Sequence, residues 1–115
     1  MRIYISGPMT NVPNLNRPAF DAVEKRLAAQ GHFVINPHDI SPLFGSAAEL
    51  AEAFEAAYTI YEYMPEARLA RAVMDADLAA VRSCDAIYLL KGWESSRGAK
   101  KELSEALKHG LKIMQ

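Results

Sequence analysis

One cysteine in 115 residues leaves the chain without an internal disulfide or a CxxC site. Cys84, between Val81 and Ile87, reads as a small core residue. The three histidines, His32, His38 and His109, show no ligand spacing such as HxxxH, so no metal and no cofactor are expected. No apolar run approaches the roughly 18 residues of a membrane span, and no basic amphipathic stretch appears. Thirteen Lys and Arg stand against 14 Asp and Glu, a net charge of -1 that offers no basic surplus to a nucleic-acid backbone. No signal-peptide pattern surrounds Arg2-Ile3-Tyr4-Ile5, and the expected location is the cytoplasm. Repeats, low-complexity tracts and linkers are also missing, so residues 1–115 are expected to form a single domain. Half of the residues are hydrophobic, enough to fill one core.

The apolar pattern alternates between strand and helix. Arg2 to Ser6 reads as a strand broken by Gly7-Pro8. A polar loop follows from Met9 to Arg17. Asn16 is a candidate N-cap and Pro18 a fitting first-turn residue for a helix whose buried face is Phe20, Val23, Leu27 and Ala28. Gly31 closes it, and His32 to Asn36 forms a second strand ended by Pro37, which completes a right-handed βαβ unit. A helical pattern resumes near Ser46. The stretch from Asp39 to Ala67 carries Glu and Tyr but no Lys or Arg; it reads as a lid, an oligomer contact or an ordinary amphipathic helix. Another helix is expected from about Pro65 to Ser83, then a strand at Asp85 to Leu90, a helix from Ala99 to His109 stopped by Gly110, and a last strand at Leu111 to Met114. Four strands and four helices in this order predict an α/β fold: a three-layer α/β/α Rossmann-like sandwich around a short, mostly parallel sheet. The site of such a sheet is expected where the loops after the first and third strands meet.

Two acidic residues stand out in that frame. Glu102 shares a helix face with Ala99 and Ala106, so it is aimed at the body of the protein. It follows the turn Gly92 to Gly98, which ends in a helix N-terminus suited to an anion, with Ser95 and Ser96 as candidate caps. The alternative is a Glu that merely favours the helix dipole. Asp77 has Val73, Met74, Ala80 and Val81 as helical neighbours, all apolar. A carboxyl there must be paired, hydrogen-bonded or raised in pKa, or else it bonds a nearby backbone N–H. Asp85, just before the third strand, is expected to bond local backbone.

These residues resemble the nucleoside 2-deoxyribosyltransferase-like superfamily and, within it, the small DUF4406 group. The resemblance covers most of the chain: Arg2-Ile-Tyr-Ile-Ser-Gly-Pro-Met9, Asn36-Pro37, Asp77-Leu78 with Cys84-Asp85, and Gly92-Trp-Glu-Ser-Ser-Arg-Gly-Ala99 with Glu102. It implies that Glu102 is the nucleophile at the anomeric carbon of a sugar, that Tyr4 steadies it, and that Asp77 positions substrate or donates a proton. Ser96, with Gly98 two residues on and Glu102 four beyond that, is similar to the branch that acts on nucleoside monophosphates. There the hydroxyl and the following N–H groups hold the 5′-phosphate. Met9-Thr10-Asn11-Val12 stands where those hydrolases carry an Arg, which leaves Arg97 or Arg17 to take that part.

The expected activity is therefore that of a nucleotide N-glycosidase or deoxyribosyltransferase. The catalytic residues are Glu102, Asp77 and Tyr4, and the substrate-binding residues are Ser6, Gly7, Pro8, Trp93, Ser95, Ser96, Arg97 and Gly98. Residue types agree with that chemistry independently. A carboxylate stabilises or traps an oxocarbenium-like state, and a second carboxyl kept protonated helps the base leave. Trp93 either stacks on the base or sugar or plugs the core edge; Arg97 either faces phosphate or is solvated. A non-catalytic nucleotide sensor of the same fold is the alternative, and an interaction protein using the acidic helix is a third. The expected partners are a small nucleotide or nucleoside and further copies of the chain, with neither nucleic acid nor membrane.

Overall fold

Strand β1 (Arg2–Ser6) lies inside a four-stranded sheet and organises both of its faces. The computed structural model describes residues 1–9, 11–39 and 65–115. Among them are the helices α1 (Arg17–Ala29), α2 (Pro65–Arg82) and α3 (Arg97–Lys108) and the strands β2 (Phe33–Ile35), β3 (Ala86–Leu89) and β4 (Lys112–Met114). The sheet order is β2-β1-β3-β4 and every pairing is parallel, with Tyr4 opposite Ile35 on one side and Ile87 on the other. The sheet is thus wholly parallel where the sequence predicts mostly parallel. The helical pattern from Ser46 lies outside the described residues, as does most of the acidic stretch.

Alternation along β1 sorts the two cores. Ile3 and Ile5 face α1, packing with Leu27 and Phe20. Tyr4 faces the other way, into a cluster with Val81 of α2, Ile87 and Leu89 of β3 and Ala106 of α3. Among the described residues, one helix on one face and two on the other make a three-layer α/β/α sandwich. Cys84 belongs to the second cluster, as a small core residue.

Local chemistry sets the element ends. Asn16 occupies the position before α1, but with φ 61° and ψ 20° it is left-handed and makes no side-chain cap bond. Asn14 and Leu15 precede it in the same left-handed region, at φ 55° and 54°, so the loop before α1 makes an unusually tight turn that Asn tolerates better than Leu. The fully buried Asn36 ties the end of β2 to α1: its amide donates to Asp21 at 2.9 Å and Glu24 at 3.0 Å, while its carbonyl accepts from the His38 N–H at 3.0 Å. Helix α3 starts two residues earlier than the periodicity of its apolar face indicates. Ser96, extended at φ −103° and ψ 119°, caps it by accepting from the Ala99 N–H at 3.1 Å. Asp85 does bond backbone, though not locally: it accepts from the Arg2 N–H at 2.9 Å and so pins β3 to the start of β1.

Gly7 ends β1 against β3. A Cβ added there meets the Leu90 Cβ at 2.6 Å and its Cδ1 at 3.0 Å, so the close approach requires glycine. Gly7→Ala is expected to cost about 1–3 kcal/mol of stability through overpacking, read as a lower midpoint in urea denaturation; an unchanged midpoint contradicts the packing described.

Candidate active site

The chain runs from β1 to β2 on one side of the sheet and reaches β3 on the other, so the loops after β1 and β3 diverge and leave a crevice between them. A cavity of about 400 Å³ opens there. Gly7, Pro8, Met9, Asn11 and Val12 line it from the loop after β1, Met74 and Asp77 from α2, and Ser95 to Ala99 with Glu102 from the turn and first part of α3. Its size lies within the usual range of small-molecule clefts.

Glu102 is the acidic centre of this cavity. Its position in the second turn of α3 aims it at β1, between Ala99 and Ala106, and it is only 7% exposed. Tyr4 and Ser6, on the same face of β1, both reach it. The Tyr4 hydroxyl donates to Oε2, and the Ser6 hydroxyl donates to Oε1 at 2.7 Å. Both donors are fully buried. Asp77, 5% exposed, lines the same cavity from α2, and its Oδ1 has no hydrogen-bond partner among the described residues.

Burial sets the protonation of this group. Asp77 is pushed up from its ordinary 3.8 to about 8, by desolvation first and by the charge of Glu102 second. Glu102 is pushed up from 4.5 to about 7 by desolvation, against which the hydrogen bonds from Tyr4 and Ser6 hold it down. The Tyr4 phenol is held well above its usual range, by burial foremost and then by the two carboxyls, so it stays a donor. Of the two, Asp77 holds its proton the more firmly, because its Oδ1 has no donor among the described residues, and Glu102 ionises the more readily, because it has two.

The remaining sequence-predicted residues divide. Gly7, Pro8, Ser95, Ser96, Arg97 and Gly98 line the cavity. Ser95 spends its hydroxyl on the Gly92 carbonyl at 2.9 Å, while the Ser96 oxygen accepts from Ala99 and keeps its hydrogen to donate. Ser6 lies behind Glu102 and does not line the cavity. Trp93 is not brought to it either: it packs against the Tyr4 cluster and borders a second hollow, with Tyr88, Lys91 and Gln115. Met74, Met9, Asn11 and Val12 are cavity residues absent from the expected substrate-binding set, the last three belonging to the stretch that stands where the similar hydrolases carry an Arg. Met74 was legible, three residues before Asp77 on the same helix face; the loop residues carry no periodicity that could have marked them. Among the described residues no cluster of three His, Cys, Asp or Glu could hold a metal, and no helix is long and apolar enough to cross a membrane.

Fold and site together define a small α/β protein with a paired-acid cavity at the switch point of a parallel sheet. The chain belongs to the DUF4406 family, described as a domain of unknown function, whose model matches residues 1–115. No curated protein and no solved structure matches it.

The two raised carboxyls give a pH dependence of stability. In the unfolded chain they titrate near their ordinary values, so between about pH 4 and pH 8 the folded protein holds more protons than the unfolded one. Their contribution is complete at the acid end of that window and is lost as pH rises through it. The half-buried His38 is shifted down from its ordinary 6.5 and works oppositely below that pH, so the comparison must be with a variant. Asp77→Asn is expected to gain stability relative to wild type progressively from pH 5 to pH 8 in urea denaturation; a constant difference across pH contradicts a raised Asp77.

Proposed function

We propose that the protein is a nucleotide N-glycosidase or deoxyribosyltransferase. It cleaves the N-glycosidic bond of a (deoxy)nucleoside 5′-monophosphate with Glu102 as nucleophile. The reading joins the sequence resemblance to the nucleoside 2-deoxyribosyltransferase-like superfamily with one observation that carries it: a buried carboxyl held by two hydroxyls, and a second buried carboxyl whose Oδ1 has no partner among the described residues, line one cavity.

The steps start from Glu102 ionised and Asp77 protonated. The Glu102 carboxylate attacks C1′ as the bond from C1′ to the base nitrogen breaks through an oxocarbenium-like state. The bonding pair leaves with the base, which takes the Asp77 proton. A sugar ester on Glu102 remains. Water then attacks C1′, Asp77, now a carboxylate, accepts its proton, and Glu102 departs as carboxylate. The sum is nucleotide plus water giving sugar phosphate and free base; an acceptor base in place of water gives transfer. The Ser96 hydroxyl and the N-terminus of α3 suit the phosphate, with Arg97 at the same mouth.

Thermal denaturation with ribo- and deoxyribonucleoside monophosphates and free nucleosides, with base release followed by chromatography, tests this. A monophosphate at 100 times its dissociation constant adds about 2.7 kcal/mol of stability. Glu102→Gln is expected to abolish base release and to keep that stabilisation, and Asp77→Asn to slow release by about 10²–10⁴-fold. Stabilisation without release, even with an acceptor base present, assigns the cavity to nucleotide sensing, and no stabilisation by any of them contradicts the proposal.

A further inference from the structure

Ser6 stands out as a buried hydroxyl among apolar neighbours. Ile5 precedes it, Leu89 is its partner on β3, and its side chain is fully buried. A small apolar residue would pack there at no polar cost, whereas a buried hydroxyl needs a partner. Its partner is Glu102 Oε1, at 2.7 Å. Ser6 does not line the cavity, so it does not meet the substrate.

The terminal torsion of a glutamate is broad and roughly two-fold, so a carboxylate held through one oxygen can still turn about its last bond. Tyr4 holds Oε2 from two residues earlier on the same strand face. With Ser6 on Oε1, both oxygens are fixed, and the plane of the carboxylate with them. We infer that Ser6 is a positioning residue: it donates to Oε1 and sets the plane of Glu102, acting on the reaction only through that carboxylate. The inference rests on the reading of Glu102 as the reacting group. Among the described residues, the titratable and charged groups facing Glu102 are Tyr4 from β1 and Asp77 from α2, with Arg97 at the start of α3 lining the same cavity. None of these replaces the Ser6 donor at Oε1.

The test compares wild type with Ser6→Ala and Ser6→Thr. Two quantities are measured from pH 5 to pH 9: kcat and KM for base release from a nucleoside monophosphate, and the ¹³C resonance of the Glu102 carboxyl in ligand-free protein, assigned by its loss in Glu102→Gln. Removing a donor to a charged acceptor should lower kcat of Ser6→Ala by about 10–100-fold, with KM changed less than about twofold. A lost donor favours the protonated acid, so the acidic limb of the profile and the carboxyl titration should both move about one pH unit toward alkaline. Ser6→Thr, which restores the hydroxyl, should return both toward wild type. If Ser6→Ala does not fold, Ser6→Cys, close in volume and a weak donor, should show the same displacement at smaller size. An unmoved Glu102 titration, or a loss confined to KM, overturns the inference while leaving the glycosidase reading intact. If wild type releases no base, that reading fails, and the ligand-free titration alone decides the role of Ser6.

Discussion

A carboxylate buried in protein is costly unless hydrogen bonds replace its water. Glu102 meets that condition through Tyr4 and Ser6, and much of the architecture serves the encounter. Both donors stand on β1, flanked by a strand on either side, so their spacing is fixed by the sheet. Helix α3 must begin where it does for Glu102 to arrive opposite them, and the Ser96 cap defines that start. Gly7 lets β1 end close against Leu90, which brings the loop after β1 to the mouth of the same cavity.

The second carboxyl gains its meaning from the first. Among the described residues Asp77 has no hydrogen-bonded partner on Oδ1, and it faces the charge of Glu102, so it is the one that holds its proton more firmly. Two acids with different environments in one cavity are the ordinary means by which one site supplies both a nucleophile and an acid near neutral pH. The difference arises here from two hydroxyls present on one side and missing on the other. On the proposed reading, that asymmetry assigns Glu102 to the sugar and Asp77 to the leaving base.

Much of this was legible in the residues. Strand and helix patterns located each described α-helix and strand to within about two residues, whereas the short 3-10 turns at Pro13–Asn16, Pro37–Asp39 and Trp93–Ser95 fell in stretches that read as loop or turn. Asp77 and Glu102 were visible as acids on apolar helix faces, and Tyr4 through the resemblance of the first strand. What lay beyond reach depended on contacts between distant parts of the chain. Ser6 reads as part of a strand-ending turn; only the register of β1 against α3, 96 residues away, shows that it serves Glu102. Trp93 shares a turn with the cavity residues Ser95 and Ser96, but the single helical turn it occupies directs it to the Tyr4 cluster instead. In the left-handed run Asn14 to Asn16 the two asparagines suit that region, whereas nothing in the residue type of Leu15 announces it.

Trapping the sugar on Glu102 tests the central claim most directly. The protein is incubated with a 2-deoxy-2-fluoro nucleoside monophosphate, whose fluorine slows both steps by destabilising the oxocarbenium-like state, and is then examined by intact mass and peptide mapping. The expected result is a gain equal to the fluorinated sugar phosphate, carried on Glu102 and absent from Glu102→Gln. A sugar carried by another residue, or base release from the natural nucleotide that survives Glu102→Gln, would contradict the role assigned to this carboxylate.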